Sequence, residues 1–205
     1  MKLLHKDELL ASLASNNADS LFLEPLLESQ QVGAVTIDLR LGYDFQVSIL
    51  TRRPAIHVRP PEDVSPRGIE SYFQETRRQL GDTFVLYPHQ IVLATTLEYV
   101  SLPSNVVADV MARSSYGRLG IQMSTMIQPG FRGCFPIELF NHSNTPVEVV
   151  VGSRLLQARF FEIDAAVSYR NGGSARKYYG AVRPVVSRAD RDPELGRLRK
   201  LAADS

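Results

Sequence analysis

Val106-Val-Ala-Asp-Val-Met111 runs directly into Ala112-Arg113-Ser114-Ser115-Tyr116-Gly117-Arg118-Leu119-Gly120-Ile121, so a short β-branched stretch gives way at once to a polar loop punctuated by glycine. The same alternation of short strand and abrupt turn extends in both directions. Strand candidates lie at 83–87, 90–95, 133–141, 147–151 and 155–162, and Pro88-His89, Pro103-Ser104, Pro129-Gly130, Asn144-Thr145-Pro146 and Gly152 supply the breaks. Turn signals roughly every 8–12 residues point to a mainly β architecture, a compact barrel or sandwich of short strands. Upstream, Val35–Leu41 and Phe45–Val47 read as two further strands separated by Gly42.

Helices are peripheral in this reading. Leu9, Leu10 and Leu13 have helical spacing within residues 5–14, with acids early, where the helix dipole favours them. Residues 69–80 are a helical candidate inside the polar, proline-bearing stretch 51–82, which reads as a surface insert. The tail, 168–205, is rich in Gly, Arg and Lys and is expected to be loop-like or mobile apart from a terminal helix at 193–203. All 205 residues fit one domain, long enough to bury a core without disulfides or metals.

Composition narrows the function classes. A net charge of +1 gives no bulk field to draw the chain onto nucleic acid or anionic lipid, so a polyanionic partner must be met locally. Cys134 is the only cysteine, which rules out an intramolecular disulfide and a zinc deaminase with its paired cysteines. With no signal-like start and no long apolar run the expected compartment is the cytoplasm, and the first helix is expected to be broken by Asp7, Asn16 and Asn17. His5, His57, His89 and His142 are scattered without metal-ligand spacing, and no Walker loop, dinucleotide fingerprint or serine elbow occurs. Any enzyme built on this chain is expected to be free of metal at its reacting centre.

Two features carry chemistry. Arg113 and Arg118 bracket Ser114, Ser115 and Gly117: guanidinium forks and hydroxyls suit phosphate oxygens, and glycine lets the backbone approach a ligand. The plainer reading is a solvated turn with Ser114 or Ser115 capping a helix. Net hydrogen bonds to charged groups are worth roughly 1.5–3 kcal/mol each, so three or four such donors suffice for micromolar nucleotide binding. Glu138 is the second feature, a carboxylate among Phe135, Ile137, Leu139 and Phe140. It is either turned out on the polar side of an alternating strand or held where it must be paired, hydrated or used.

Together these segments resemble the dCTP deaminase family, relatives of the trimeric dUTPases. The likeness is carried by Val35-Thr-Ile-Asp-Leu-Arg-Leu-Gly42, Leu93-Ala-Thr-Thr-Leu-Glu98 with Leu102-Pro103, Arg113–Gly120, Pro129-Gly-Phe-Arg-Gly133, Glu138 with Asn141, and Gly152. It implies a distorted, dUTPase-like β-barrel that assembles as a homotrimer with sites between subunits. By position, Arg113, Ser114 and Ser115 would hold a deoxynucleoside triphosphate carrying Mg2+, helped by Tyr169 and Lys177. Glu138 would be the general acid and base: it takes a proton from water, hydroxide adds to C4 of cytosine, and the carboxyl returns the proton to N3 before ammonia leaves. Arg118 and Ser114 would orient that water, with Arg118 keeping Glu138 ionised. The backbone around Pro136 and Ile137 would face the base.

Three positions differ from the family pattern. Gln128 stands where aspartate usually precedes Pro-Gly; it can still bond a 3′-hydroxyl but cannot serve as a base, which weighs against dUTP or dCTP pyrophosphatase activity. The base-framing stretch Ile121–Ile127 is short, and Lys177-Tyr-Tyr-Gly180 lacks the usual glutamine. Pro136 also removes a backbone donor beside Glu138. The readings in play are therefore dCTP deamination to dUTP, pyrophosphatase action on the same scaffold, and a non-catalytic trimeric nucleotide binder.

Overall fold

Strands this short cannot bury an apolar face alone, and in a computed structural model describing residues 1–52, 55–58, 68–167 and 177–203 they gather into antiparallel sheets around one core. In chain order the strands are β1 (Lys2–Leu3), β2 (Phe22–Glu24), β3 (Ile37–Leu39), β4 (Asp44–Ser48), β5 (Phe73–Arg77), β6 (Thr83–Leu86), β7 (Ile91–Ser101), β8 (Val106–Ala112), β9 (Ile121–Gln122), β10 (Ser124–Ile127), β11 (Arg132–Asn141), β12 (Val147–Val150) and β13 (Leu156–Glu162). The helices are α1 (Lys6–Leu13), α2 (Ser114–Gly117) and α3 (Pro193–Ala203). The chain is mainly β, with its helices at the periphery.

One sheet runs β1-β13-β8-β10, with β3 also on β13; the other runs β5-β4-β7-β11-β9, with β2 also on β7. A bridge between Leu41 and Thr96 ties the end of β3 to β7 and so joins the two sheets. Gly42 sits at this crossing because a Cβ there would lie 2.7 Å from the Thr95 carbonyl. The small β12–β6 ribbon is fastened by Phe84, whose ring stacks on Phe45 of β4 at 4.2 Å. Inward positions of both sheets, among them Ile37, Leu39, Phe135, Ile137, Leu139, Leu156 and Phe160, are sealed from water.

The β7–β11 pair positions the features of interest. Its register runs from Arg132↔Ser101 to Phe140↔Ile91, but three residues of β7, Thr96 to Glu98, stand opposite the single Phe135. This bulge is held by the Phe135 N–H donating to Thr96 Oγ1 at 2.9 Å and by Leu97 N–H donating to the Arg40 carbonyl at 2.9 Å. Pro136 follows at once, where an interrupted ladder tolerates a residue without an N–H.

Two expectations are corrected. Residues 69–80 do not form a helix: Ile69–Tyr72 is a single 3-10 turn and Phe73–Arg77 is β5, paired with β4 from Asp44↔Arg77 to Ser48↔Phe73. Buried Ile69 and Tyr72 anchor the turn, and the open edge of β4 satisfies the β5 backbone, so tertiary pairing overrides local periodicity. Residues 53–54 and 59–67 of that stretch lie outside the described residues. Asp7 does not interrupt the first helix either; it lies in the first turn of α1, where an acid is favoured.

The terminal helix falls at 193–203, as its spacing predicts. Ahead of it the tail lies against β11: Gly180 N–H donates to the Arg132 carbonyl at 2.7 Å and Cys134 N–H to the Ala181 carbonyl at 3.0 Å. Tyr179 meets Phe131 edge-on at 6.5 Å, and Arg183 lies 3.6 Å from Asp44. Gly133 is required here, since a Cβ would sit 2.6 Å from the Ala181 carbonyl.

Candidate functional site

The polar loop starts where β8 ends. Arg113 N–H donates to the Leu155 carbonyl at 2.9 Å, and the Arg113 carbonyl accepts from Tyr116 and Gly117 to open the single-turn α2. Arg113, not a serine, is therefore the residue that caps the turn, and no side chain caps it. The Ser114 and Ser115 hydroxyls are exposed and remain available to a ligand. Gly120, at φ +89°, then turns the chain into β9.

The two arginines have different settings. Arg113 Nε lies 3.5 Å from Asp38, and its Nη1 donates to the Arg154 carbonyl at 3.1 Å. Asp38 is also 3.9 Å from Arg154, and Glu28 joins Arg154 at 3.7 Å to Arg40 at 3.1 Å. Arg113 is thus held in place by a partly buried network, with the rest of its fork free to meet phosphate. Arg118 is exposed, and its guanidinium makes no ion pair among the described residues.

Glu138 sits on the outer side of β11. Ile137 and Leu139 enter the core, so strand alternation turns the carboxylate outward beside Leu93 and in line with Pro136 and Phe140. Outward here does not mean into open water. Phe73, Ile91, Leu93, Pro136, Tyr178 and Val185 wall a cavity of about 320 Å³ that Glu138 shares. The carboxylate keeps solvent access at the mouth, but these apolar walls withdraw hydration and push its pKa up, an effect partly offset by its own backbone amide. Within the single chain no guanidinium is among the groups acting on Glu138.

The remaining expected site residues are spread out. Gln128 is exposed at the start of the Pro129-Gly130 turn, its carbonyl accepting from Phe131 N–H at 3.3 Å. Pro136 faces the Glu138 cavity. Ile137 buries its side chain in the core, so only its backbone is left for a ligand. Lys177 is engaged by Asp192 at 2.5 Å, and its carbonyl accepts from Arg188. Tyr169 lies outside the described residues.

Sequence reasoning gave no role to Glu98. Fully buried at the β7 bulge, it accepts from the Arg40 amide at 2.9 and 3.2 Å and from Gln31 Nε2 at 3.1 Å. Burial nevertheless raises its pKa from 4.5 to about 7. The signal for it was the one that exposed Glu138, an acid in an apolar run.

A family model described as dCTP deaminase-like matches residues 3–163. The chain belongs to that family. Among relatives of this dCTP deaminase-like chain, the "dCTP deaminase, dUMP-forming" of Methanobrevibacter smithii is 34% identical over 178 residues, spanning 84% of this chain and 89% of the relative. The "dCTP deaminase" of Halorubrum lacusprofundi is 35% identical over 189 residues, spanning 90% and 91%. A crystal structure of 2'-deoxycytidine 5'-triphosphate deaminase from Agrobacterium tumefaciens superposes with a TM-score of 0.57 at 27% identity, covering 78% of this chain and 48% of that longer one.

Proposed function

We propose that the chain hydrolyses the amino group of dCTP, with Glu138 as general acid and base. The observation that carries this reading is the Glu138 carboxylate in a small apolar cavity. Such a carboxyl both accepts a proton from water and gives it back, and the apolar walls beside it push its pKa up, which favours the protonated form it must pass through. Water loses a proton to Glu138, the hydroxide adds to C4 and the carboxyl protonates N3; the same carboxylate then carries the C4 hydroxyl proton to the amino group, so that the C4–N bond breaks, ammonia departs and the C4 carbonyl of dUTP forms. Arg113, Ser114 and Ser115 hold the triphosphate, with Lys177 and, from outside the described residues, Tyr169 completing the grip. Gln128 bonds the 3′-hydroxyl.

Mg2+ arrives on the triphosphate and is held chiefly by phosphate oxygens; among the described residues no group of three or more His, Cys, Asp or Glu is placed to hold a metal ion. The site is completed in a homotrimer, in which the exposed Ser114, Ser115 and Arg118 of one copy face Glu138 of the next. Support comes from the exposure of these residues and from the absence, among the described residues, of an ion pair on Arg118 or Glu138. Among the described residues no helix is long and apolar enough to cross a membrane, and we place the enzyme in the cytoplasm.

The relatives named dUMP-forming favour a second reading, in which diphosphate is also released. Gln128, unable to act as a base, argues that the product stays dUTP. The test is product analysis with dCTP and Mg2+: ammonia with dUTP supports the proposal, ammonia with diphosphate and dUMP supports the second reading, and absence of ammonia overturns both. Arg113→Ala is expected to weaken dCTP binding by roughly 1.5–3 kcal/mol, the worth of a charged hydrogen bond, as read by calorimetry. Equal affinity would show that this arginine serves only the Asp38 network.

A further inference from the structure

We infer that Phe140, flanked by His89 and His142 and bordered by Gln122, is the surface against which the nucleobase stacks beside Glu138. This deepens the deaminase reading and rests on it. Phe140 is half-buried on the same face of β11 as Glu138 and about 7 Å further along, two strand residues away. The His142 ring meets it edge-on, 4.3 Å between centroids and 68° between planes, and the His89 ring lies 6.3 Å away on a tilt of 51°. Both imidazoles are exposed. The three rings form an aromatic notch at the surface.

The notch is fixed by the backbone. His142 N–H donates to the Gly120 carbonyl at 2.9 Å, tying it to the end of the arginine–serine loop, and His89 N–H donates to the Asn141 carbonyl at 3.0 Å. Buried Asn141 in turn donates to the Leu86 and Thr145 carbonyls, each at 2.9 Å. His89 itself adopts φ +61°, and among the described residues it is the only non-glycine with positive φ. A side chain in that region is strained, and glycine would relieve it, so the imidazole is kept at a cost to stability.

The stretch between Gly120 and Gln128 supplies little else to this face. Its β9 pairs with β11 at Phe140↔Gln122, which puts the exposed Gln122 amide at the border of the notch. A planar π-surface with an amide at its edge is the chemistry that holds a base: stacking gives affinity, and the amide reads the exocyclic groups.

The test measures equilibrium binding of dCTP and of inorganic tripolyphosphate, each with Mg2+, together with thermal unfolding. Phe140→Leu is expected to weaken dCTP about tenfold and His89→Gly about threefold, scaled from base–aromatic stacking, with tripolyphosphate unchanged in both. His89→Gly is also expected to unfold at the same or a higher temperature, so its loss of affinity would not reflect a damaged fold. Gln122→Ala should alter the ratio of dCTP to dUTP affinity. Unchanged dCTP affinity in Phe140→Leu and His89→Gly, or an equal loss for dCTP and tripolyphosphate, overturns the inference. A parent chain that binds dCTP through the notch without releasing ammonia refutes the deaminase reading alone.

Discussion

Replacing Glu138 by Gln is expected to stop ammonia release from dCTP, by at least about 10³-fold, while leaving triphosphate affinity within several-fold. The amide keeps the size and much of the hydrogen bonding of the carboxylate but can neither take a proton from water nor return it to N3. Among the described residues that line the cavity there is no second carboxylate or imidazole to replace that function. Arg118→Ala is expected to be impaired too, through loss of the group that orients the water. If each site joins Glu138 of one copy to Arg118 of another, mixing the two inactive variants restores roughly a quarter of the sites at random assembly in equal amounts. Recovered ammonia release in the mixture, against none in either variant alone, is the measurement. No recovery after verified subunit exchange would place both residues in one chain's site.

The second large effect concerns stability. Glu98 is expected to make the protein less stable as pH rises from about 4.5 to about 7, because across this window the folded chain holds a proton that the unfolded chain has released. Unfolding therefore gives up a proton there, and raising the pH favours it. A shift from 4.5 to about 7 corresponds to about 3 kcal/mol between the ends of that range. Thermal unfolding should thus occur at a lower temperature at pH 8 than at pH 5.5, and the difference should shrink in Glu98→Gln, which keeps an acceptor for the Arg40 amide. A pH profile identical in that variant would show that the donors around Glu98 keep it ionised throughout.

Much of the strand order was legible because turn chemistry is local. Pro88-His89, Pro129-Gly130 and Gly152 mark the chain reversals, and the alternating runs between them fall where β6, β7, β8, β11, β12 and β13 lie. The β5 segment was not legible, since Ile69–Leu80 carries apolar residues at helical spacing and only the edge of β4 makes it a strand. The arginine–serine loop could be read from composition, but not the sharing of Arg113 with Asp38, a partner 75 positions earlier in the chain. Glu98 and Glu138 are the sharpest case. Both are acids in apolar strands, and sequence cannot separate them. The extra residues that β7 places opposite Phe135 form the bulge where Glu98 is enclosed, while regular alternation beyond it leaves Glu138 outside.

The same alternation limits how this chain can drift. Gain or loss of one residue between Phe135 and Glu138 would exchange the two sides of the strand beyond it, driving the acid into the core and expelling Leu139 into water. Indels are therefore tolerable at the surface joints but not along this stretch, and lineages that keep the chemistry must conserve its length more strictly than its side chains.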